Sequence, residues 1–259
     1  MQLKQLDLPG GGLLTVYLRD CVETMPLAME RPLVLVVPGG GYSHLSAREG
    51  DPVALQFAAA GYHTAVLRYA VGDDAAHGLP LRQLAAAIGL VRQHAAAWHV
   101  LPDKIAVCGF SAGGHLALSG AVLAVPGLPD PPRPDAVILG YPVVTAGEFA
   151  HRGSFVRLAG SEDAAAQQVF TLEDQVNSDT PPVFVWHTME DKTVPVENTL
   201  LLLAALRRAG VPCEAHLFEK GAHGTSISTA EVDAADPHRA HWVALCLEWL
   251  GETFGFKWS

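Results

Sequence analysis

The stretch KIAVCGFSAGGHLAL, residues 104–118, carries the strongest structural signal in the chain. Its first half is a short apolar run that predicts a buried strand, and its second half is rich in Ala and Leu, which favour a helix. Ser111 stands at the junction, with Gly109 and Gly113 two residues away on either side. This G-x-S-x-G arrangement between a strand and a helix is typical of a nucleophile elbow. The turn is so tight that larger side chains at the glycine positions would collide with the strand or the helix.

Short apolar runs alternate with longer Ala- and Leu-rich stretches through the rest of the chain. The short runs predict strands over residues 2–8, 13–18, 33–37, 63–67, 104–108, 136–139, 183–187 and 213–218. The longer stretches predict helices over residues 52–60, 81–94, 112–125, 197–208 and 238–254. Residues 9–12, PGGG, predict a hairpin between the first two strands. This alternation is typical of an α/β fold, with a mostly parallel central sheet and helices on both faces.

One segment does not fit the alternation. Residues 143–182 are polar and weakly periodic, and they are too numerous for a plain loop. We interpret them as a partly helical cap or lid inserted above the sheet. The sequence therefore predicts a single domain over residues 1–259 with one small cap.

Composition narrows the class of partner. The 259 residues carry a formal net charge of −10, which disfavours nucleic acid and anionic membrane surfaces as partners. No run approaches the roughly 20 apolar residues that span a bilayer. The N-terminal residues MQLKQLD lack the apolar segment of a signal peptide, so we expect a cytoplasmic protein. A small molecule is the expected partner, and the sequence leaves open whether the chain forms a homo-oligomer.

The sequence predicts neither a metal nor a cofactor. Its four cysteines are widely spaced without a C-x-x-C pair, and its twelve histidines form no H-E-x-x-H motif. The glycine runs at residues 10–12 and 39–41 match no nucleotide-binding motif. Cys108 and Cys213 fall within predicted strands, where we expect each thiol to behave as a small hydrophobic group.

Four features follow the ends of four different predicted strands. Ser111 follows one strand, Asp191 lies four residues beyond the strand 183–187, and His223 follows the strand 213–218 within the turn GAHG. The glycine run PGGGY, residues 38–42, follows the strand 33–37. In open α/β sheets the carboxyl ends of the strands carry the functional groups. We therefore expect these four features to meet at one edge of the sheet.

Each of these residue types has a defined chemical task. A serine hydroxyl needs a base to take its proton, and His223 would act on Ser111 in this way. Asp191 would hold the imidazole in one tautomer and stabilise it when it becomes charged. The backbone N–H groups of Gly40 or Gly41, together with that of Ala112, would stabilise a tetrahedral oxyanion.

Simpler interpretations compete with this one. The glycine run also fits a flexible turn, and His223 between glycines also fits a solvated loop histidine. Glu190 competes with its neighbour Asp191 for the acid role. His115, just inside the predicted helix, fits a packing or hydrogen-bonding residue better than a base. His187 fits a core residue, or one that supports the acid.

The chain resembles the acetylxylan-esterase-like α/β-hydrolases. The resemblance rests on VVPGGGY at 36–42, AREGDPVA at 47–54, CGFSAGGHL at 108–116, TPPVFVWHTMEDKTVP at 180–195 and GAHG at 221–224. It implies an α/β-hydrolase fold and a metal-free carboxylic ester hydrolase, in a family whose members often deacetylate sugars. It also implies Ser111, Asp191 and His223 as the catalytic triad, and we expect Tyr42 to contact the substrate. Arg48, Glu49 and Asp51 match the family pattern, and a loop-bracing ion pair is the simplest interpretation of them.

Pro38 departs from the pattern of the wider hormone-sensitive-lipase-like enzymes, which have a histidine before the three glycines. The backbone donors of the glycine run are unaffected by this difference, but the substrates of that branch are not expected to carry over.

The sequence thus predicts a cofactor-free serine esterase that acts on small acyl esters, with acetylated sugars as the leading substrate class. Two alternatives remain open. One is a peptidase of the prolyl-oligopeptidase type, although the chain has no room for the gating domain that such enzymes usually carry. The other is a ligand-binding relative that has lost catalysis.

Overall fold

The computed structural model describes residues 1–24 and 29–256. Within them the chain forms an eight-stranded sheet in the order β1-β2-β4-β3-β5-β6-β7-β8. The strands are β1 (Gln2–Leu8), β2 (Gly12–Leu18), β3 (Arg31–Val37), β4 (His63–Arg68), β5 (Val100–Phe110), β6 (Ala136–Gly140), β7 (Val183–Thr188) and β8 (Cys213–Phe218). Strand β2 pairs antiparallel with β1 and with β4, and the other neighbouring strands pair parallel. The predicted hairpin and the mostly parallel sheet are both confirmed.

The helices of the described residues connect these strands. They are α1 (Asp51–Ala59), α2 (Leu79–Gln93), α3 (Ala95–Trp98), α4 (Ala112–Val122), α5 (Arg152–Ala159), α6 (Ala164–Gln168), α7 (Glu197–Ala209), α8 (Pro237–Ala240) and α9 (Trp242–Phe254). No helix in the described part of the chain is long and apolar enough to cross a membrane.

The sheet separates two hydrophobic cores because successive side chains of a strand point to opposite faces. In β3, Leu33 and Leu35 belong to the core formed with α2, α4 and α7, whereas Val34 and Val36 belong to the core formed with α1 and α9. All seven residues of β3 are buried, as expected for a central parallel strand covered on both faces. These two layers of helices hold the carboxyl ends of the strands in fixed positions.

Two predicted helices end differently in the structure. The helix predicted over 112–125 ends at Val122, because Leu123 is extended and the Arg133 guanidinium bonds the carbonyls of Ala121 and Leu123. The helix predicted over 238–254 is two helices, α8 and α9, separated at His241. There the His241 N–H bonds the carbonyl of His238, three residues back, in a tighter turn than an α-helix.

Cys213 corrects another expectation. It is exposed, whereas Cys108 is buried as predicted. Strand β8 lies at the edge of the sheet, and its residues alternate between exposed and partly buried positions up to Phe218. The apolar character of the run 213–218 does not distinguish such an edge strand from a central one.

Residues 143–182 contain the two short helices α5 and α6. Val143, Ala146 and Phe155 pack with Val194 in a small core of their own. The buried Asn198 side chain anchors the start of the segment, since its Oδ1 accepts hydrogen bonds from the N–H groups of Val144 and Thr145. The partly helical character is therefore confirmed, and a role as a cap or lid stays a prediction.

Candidate active site

The junction between β5 and α4 is a strained turn. Ser111 has φ 54° and ψ −121°, a backbone conformation that costs energy for a residue other than glycine. Its N–H bonds the carbonyl of Gly140 at 3.0 Å. A Cβ on Gly109 would lie 2.2 Å from the Gly113 carbonyl oxygen, and one on Gly113 would lie 2.2 Å from that of Val37. Both glycines are thus required by close backbone contacts, as the motif predicts.

Three side chains from distant parts of the chain form a hydrogen-bonded series. The Ser111 hydroxyl lies 2.8 Å from Nε2 of His223, whose Nδ1 lies 2.6 Å from Oδ2 of Asp191. The other Asp191 oxygen accepts the backbone N–H groups of Thr193 and Val194 at 2.9 and 3.0 Å. The structure therefore brings the three predicted triad residues together. It also fixes which oxygen of Asp191 faces the imidazole.

Asp191 is held in its charged form. Burial alone would raise its pKa, but hydrogen bonds from His187, His223 and the Val194 N–H outweigh burial and hold the pKa below its usual range. His187 is fully buried, with Nε2 3.0 Å from the Val194 carbonyl oxygen and 3.3 Å from Asp191 Oδ2, and with Nδ1 2.7 Å from the Thr199 hydroxyl. His187 therefore supports the acid. The competing Glu190 is exposed, and its carboxylate accepts the Gly221 N–H at 3.3 Å.

The glycine run passes directly beside Ser111. A Cβ on Gly39 would lie 3.0 Å from Cβ of Ser111, and one on Gly40, whose φ is +125°, would lie 2.1 Å from the His44 carbonyl oxygen. The Gly40 carbonyl is turned back to accept the N–H groups of Ser43 and His44. Within the described residues, the N–H groups of Gly40 and Gly41 have no hydrogen-bond partner. Ala112 is the first residue of α4, where backbone N–H groups also lack an intrahelical partner.

A cavity of about 490 Å³ opens above Ser111 and His223. Its other lining residues are Gly40, Gly41, Ser43, His44, Ser46, Arg48, Glu49, His151, Arg157, Thr193 and Gly224. Among these described residues none is aliphatic or aromatic apart from the histidines. His151 and Arg157 come from residues 143–182, and burial together with the charges of His223 and Arg157 lowers the pKa of His151. The side chains that line the cavity are therefore polar or charged.

Tyr42 lies on the other side of the glycine run. Its side chain is buried, its hydroxyl lies 2.9 Å from Nδ1 of His115, and it lines a separate cavity of about 580 Å³. Nε2 of His115 bonds the Phe170 carbonyl at 2.9 Å, and burial lowers the pKa of His115 to about 4. His115 is thus a neutral hydrogen-bonding residue of the interior. Substrate contact by Tyr42 stays a prediction, since the side chain lines a different cavity from Ser111.

Sequence reasoning assigned Glu49 no role beyond a loop-bracing ion pair and did not single out Tyr141. Glu49 is buried and lies beneath the glycine run, and Tyr141 follows β6 and packs its ring against His223, with centroids 4.9 Å apart. Tyr141 follows the carboxyl end of a strand, which is the same signal that identified the other site residues. Within the described residues, no group of three His, Cys, Asp or Glu side chains could hold a metal ion.

The elbow, the hydrogen-bonded Ser–His–Asp series and the doubly covered sheet define an α/β-hydrolase of the serine type. The family model described as the prolyl oligopeptidase family matches residues 82–256, and the model BD-FAE matches residues 23–126. The first model covers more than half of the chain, so the chain belongs to the prolyl oligopeptidase family of α/β-hydrolases.

Three similar proteins carry names that refer to xylan or to xylosides. The chain is 36% identical to the acetyl ester-xyloside bifunctional hydrolase of Caldicellulosiruptor lactoaceticus, whose crystal structure superposes with a TM-score of 0.84 over 96% of this chain and 90% of that one. It is 36% identical to endo-1,4-beta-xylanase B of Butyrivibrio fibrisolvens over 78% of this chain and 34% of the relative. It is 31% identical to the acetylxylan esterase of Xylanibacter ruminicola over 76% of this chain and 41% of the relative. The chain thus spans between a third and a half of the length of these two curated relatives.

Proposed function

We propose that the protein is a cofactor-free serine esterase of the cytoplasm that removes acetyl groups from small sugar esters. The observation that carries this proposal is the continuous series of hydrogen bonds from Ser111 through His223 to Asp191, at 2.8 and 2.6 Å. These distances fall within the range for proton transfer between a nucleophile and its base.

The reaction would proceed in two halves. In the first, Nε2 of His223 takes the hydroxyl proton as Ser111 attacks the ester carbonyl, and the imidazolium then returns the proton to the leaving alcohol. In the second, Nε2 of His223 takes a proton from the water that attacks the acyl-enzyme, and it returns that proton to the Ser111 oxygen as acetate leaves. The negatively charged Asp191 stabilises the imidazolium in both halves. The N–H groups of Gly40, Gly41 and Ala112 are the candidate donors to the oxyanion.

The lining of the cavity supports a polar leaving group. Arginine, histidine, serine and threonine side chains can replace the hydrogen bonds that a sugar loses when it leaves water. Aliphatic side chains that would bury a long acyl chain are missing from the described lining residues. The names of the relatives, acetylxylan esterase and acetyl ester-xyloside hydrolase, agree with this substrate class.

Residues 143–182 would act as the cap of this site. Helix α5 and the residue before it supply Arg157 and His151 to the cavity wall. We expect a cap with these side chains to contact the substrate, because they line the same cavity as Ser111 and a Cβ on Gly41 would lie 3.5 Å from Cε1 of His151.

One set of assays distinguishes the proposed esterase from a prolyl-oligopeptidase-like peptidase and from a relative that has lost catalysis. We expect hydrolysis of 4-nitrophenyl acetate by the wild-type protein, rapid labelling by a fluorophosphonate, and no cleavage of a prolyl 4-nitroanilide peptide. Ser111→Ala provides the control that should remain folded and unlabelled. Preferential cleavage of the peptide would support the peptidase, and a folded wild-type protein that is inert to both substrates and to the label would support a silent relative.

A further inference from the structure

The proposed reaction requires two loops to stay in register. The oxyanion loop, residues 39–41, follows β3, and the histidine loop, residues 221–226, follows β8 at the far edge of the sheet. Neither loop pairs with the other through the sheet. A displacement of about 1 Å between reacting groups can cost 100-fold in rate, so some contact must fix their relative position.

Glu49 contacts the oxyanion loop directly. Its side chain is 2% exposed, and its Oε2 accepts the Gly39 N–H at 2.8 Å. A Cβ on Gly39 would lie only 2.7 Å from that oxygen, so the glycine is what allows the carboxylate to approach. Within the described residues Glu49 forms no ion pair. A buried carboxylate without a cation is costly, and hydrogen bonds are its compensation here.

The second oxygen of Glu49 leads to the histidine loop. Oε1 accepts the Tyr141 hydroxyl at 2.7 Å, and that hydroxyl oxygen accepts the Ser226 N–H at 2.9 Å. The Ser226 hydroxyl in turn donates to the carbonyl of Arg48, the neighbour of Glu49, at 2.5 Å. The hydrogen bonds therefore form a closed ring. Burial, and then the charge of Glu49, raises the pKa of Tyr141 well above its usual value, so the phenol remains a donor.

We infer that Glu49 and Tyr141 are positioning residues that set the oxyanion donors and His223 in register around Ser111. This inference rests on the proposed esterase function, since it assigns the two residues to that same site. They act through Gly39 and Ser226: Glu49 borders the cavity, but its side chain is only 2% exposed and both its carboxylate oxygens accept hydrogen bonds from the protein. Their loss should therefore lower the rate of the chemical step and leave substrate affinity nearly unchanged.

The test compares Tyr141→Phe and Glu49→Gln with a matched control. Tyr17→Phe removes a similar bond on an exposed surface, from the Tyr17 hydroxyl to Oδ1 of Asp51 at 2.7 Å. Asp51 is two residues after Glu49 in the sequence. With 4-nitrophenyl acetate we expect kcat to fall roughly 10- to 100-fold in both site variants with KM changed less than about 3-fold. The double variant should lose no more than about 2-fold beyond the worse single variant, because both changes break one link. The control should match the wild type.

A tetrahedral probe separates positioning from general destabilisation. Methylboronic acid forms an adduct on a catalytic serine whose oxygen occupies the oxyanion site, so its inhibition constant should rise with the same factor as kcat falls. Each rate is normalised to active sites by fluorophosphonate titration, so loss of folded protein does not count. If Glu49→Gln does not fold, Tyr141→Phe decides the matter.

The inference is overturned if folded Tyr141→Phe keeps kcat and boronate affinity within about 2-fold of the wild type. It is also overturned if the losses in the double variant multiply. If the wild-type protein hydrolyses esters while either of these outcomes is observed, only the inference about Glu49 and Tyr141 fails and the proposed esterase function stands. A wild-type protein that is inactive on all esters removes the proposed function and this inference together.

Discussion

Replacing Asp191 with Asn removes the charge opposite His223 with little change in shape. The orientation of the new amide is dictated by its surroundings, because the N–H groups of Thr193 and Val194 donate to Oδ1 and require an oxygen there. The amide nitrogen must then occupy the Oδ2 position, 2.6 Å from Nδ1 of His223. Nδ1 can only accept from an NH₂ group, so the imidazole proton moves to Nε2. Nε2 then faces the Ser111 hydroxyl with a proton of its own and has no free pair to act as the base.

The expected fall in kcat follows from the loss of both the correct imidazole tautomer and the negative charge beside it. In tightly coupled triads this substitution lowers kcat by up to about 10⁴, which corresponds to about 5.4 kcal/mol of transition-state stabilisation. KM should change little, because Asp191 lies behind His223 and is buried from the cavity.

The assay measures kcat on 4-nitrophenyl acetate with Glu190→Gln as the matched control. Glu190 is the neighbouring acid, and its exposed carboxylate bonds only the Gly221 N–H among the described residues. Its amide variant should stay within about 3-fold of the wild type, since one weak exposed hydrogen bond is lost. The reasoning is refuted if folded Asp191→Asn keeps more than a tenth of wild-type kcat, or if Glu190→Gln is the more damaging change.

Three further predictions address specificity, pH and packing. First, kcat/KM on 4-nitrophenyl esters should fall from acetyl to octanoyl. In an apolar acyl pocket each added methylene would instead contribute about 0.8 kcal/mol of transfer free energy, so a rise would contradict a cavity lined by polar side chains. Second, because burial lowers the pKa of His115 to about 4, the unfolded state binds this proton more tightly. The free energy of unfolding should then fall by about 3 kcal/mol as the pH drops from about 6.5 to 4, and His115→Gln should remove that share in urea titrations. Third, Gly113→Ala should cost about 3 kcal/mol, because its Cβ would lie 2.2 Å from the Val37 carbonyl oxygen. Gly89→Ala, which meets only Pro132 at 3.4 Å, should be neutral or stabilising by about 0.5 kcal/mol, and equal melting temperatures for these two variants would exclude the packing argument.

The meeting of Ser111, Asp191 and His223 could be predicted because each residue follows the end of its own strand. Parallel strands place their carboxyl ends at one edge, so local signals in the sequence translate directly into proximity. The preference for Asp191 over Glu190 followed the same rule, and the structure places Asp191 against the imidazole. His115 was likewise expected to be an interior hydrogen-bonding residue.

The contacts of Glu49 could not be predicted in this way. Glu49 meets Tyr141 across 92 positions of sequence, and the meeting depends on where the turn before α1 lies relative to the end of β6. The expectation of a loop-bracing ion pair at Glu49 is wrong. The Glu49 carboxylate instead accepts hydrogen bonds from two neutral donors, the Gly39 N–H and the Tyr141 hydroxyl. The exposure of Cys213 depends on the position of β8 at the sheet edge, which no single run of residues encodes.

The release of acetate from acetylated xylo-oligosaccharides tests the central claim most directly. Acetate would be quantified over time with the wild-type protein and with folded Ser111→Ala at equal concentration. The account predicts steady release by the wild-type protein and a rate at least about 10³-fold lower for the variant, since the nucleophile itself is missing. No release by the wild-type protein, or equal release by Ser111→Ala, would contradict it.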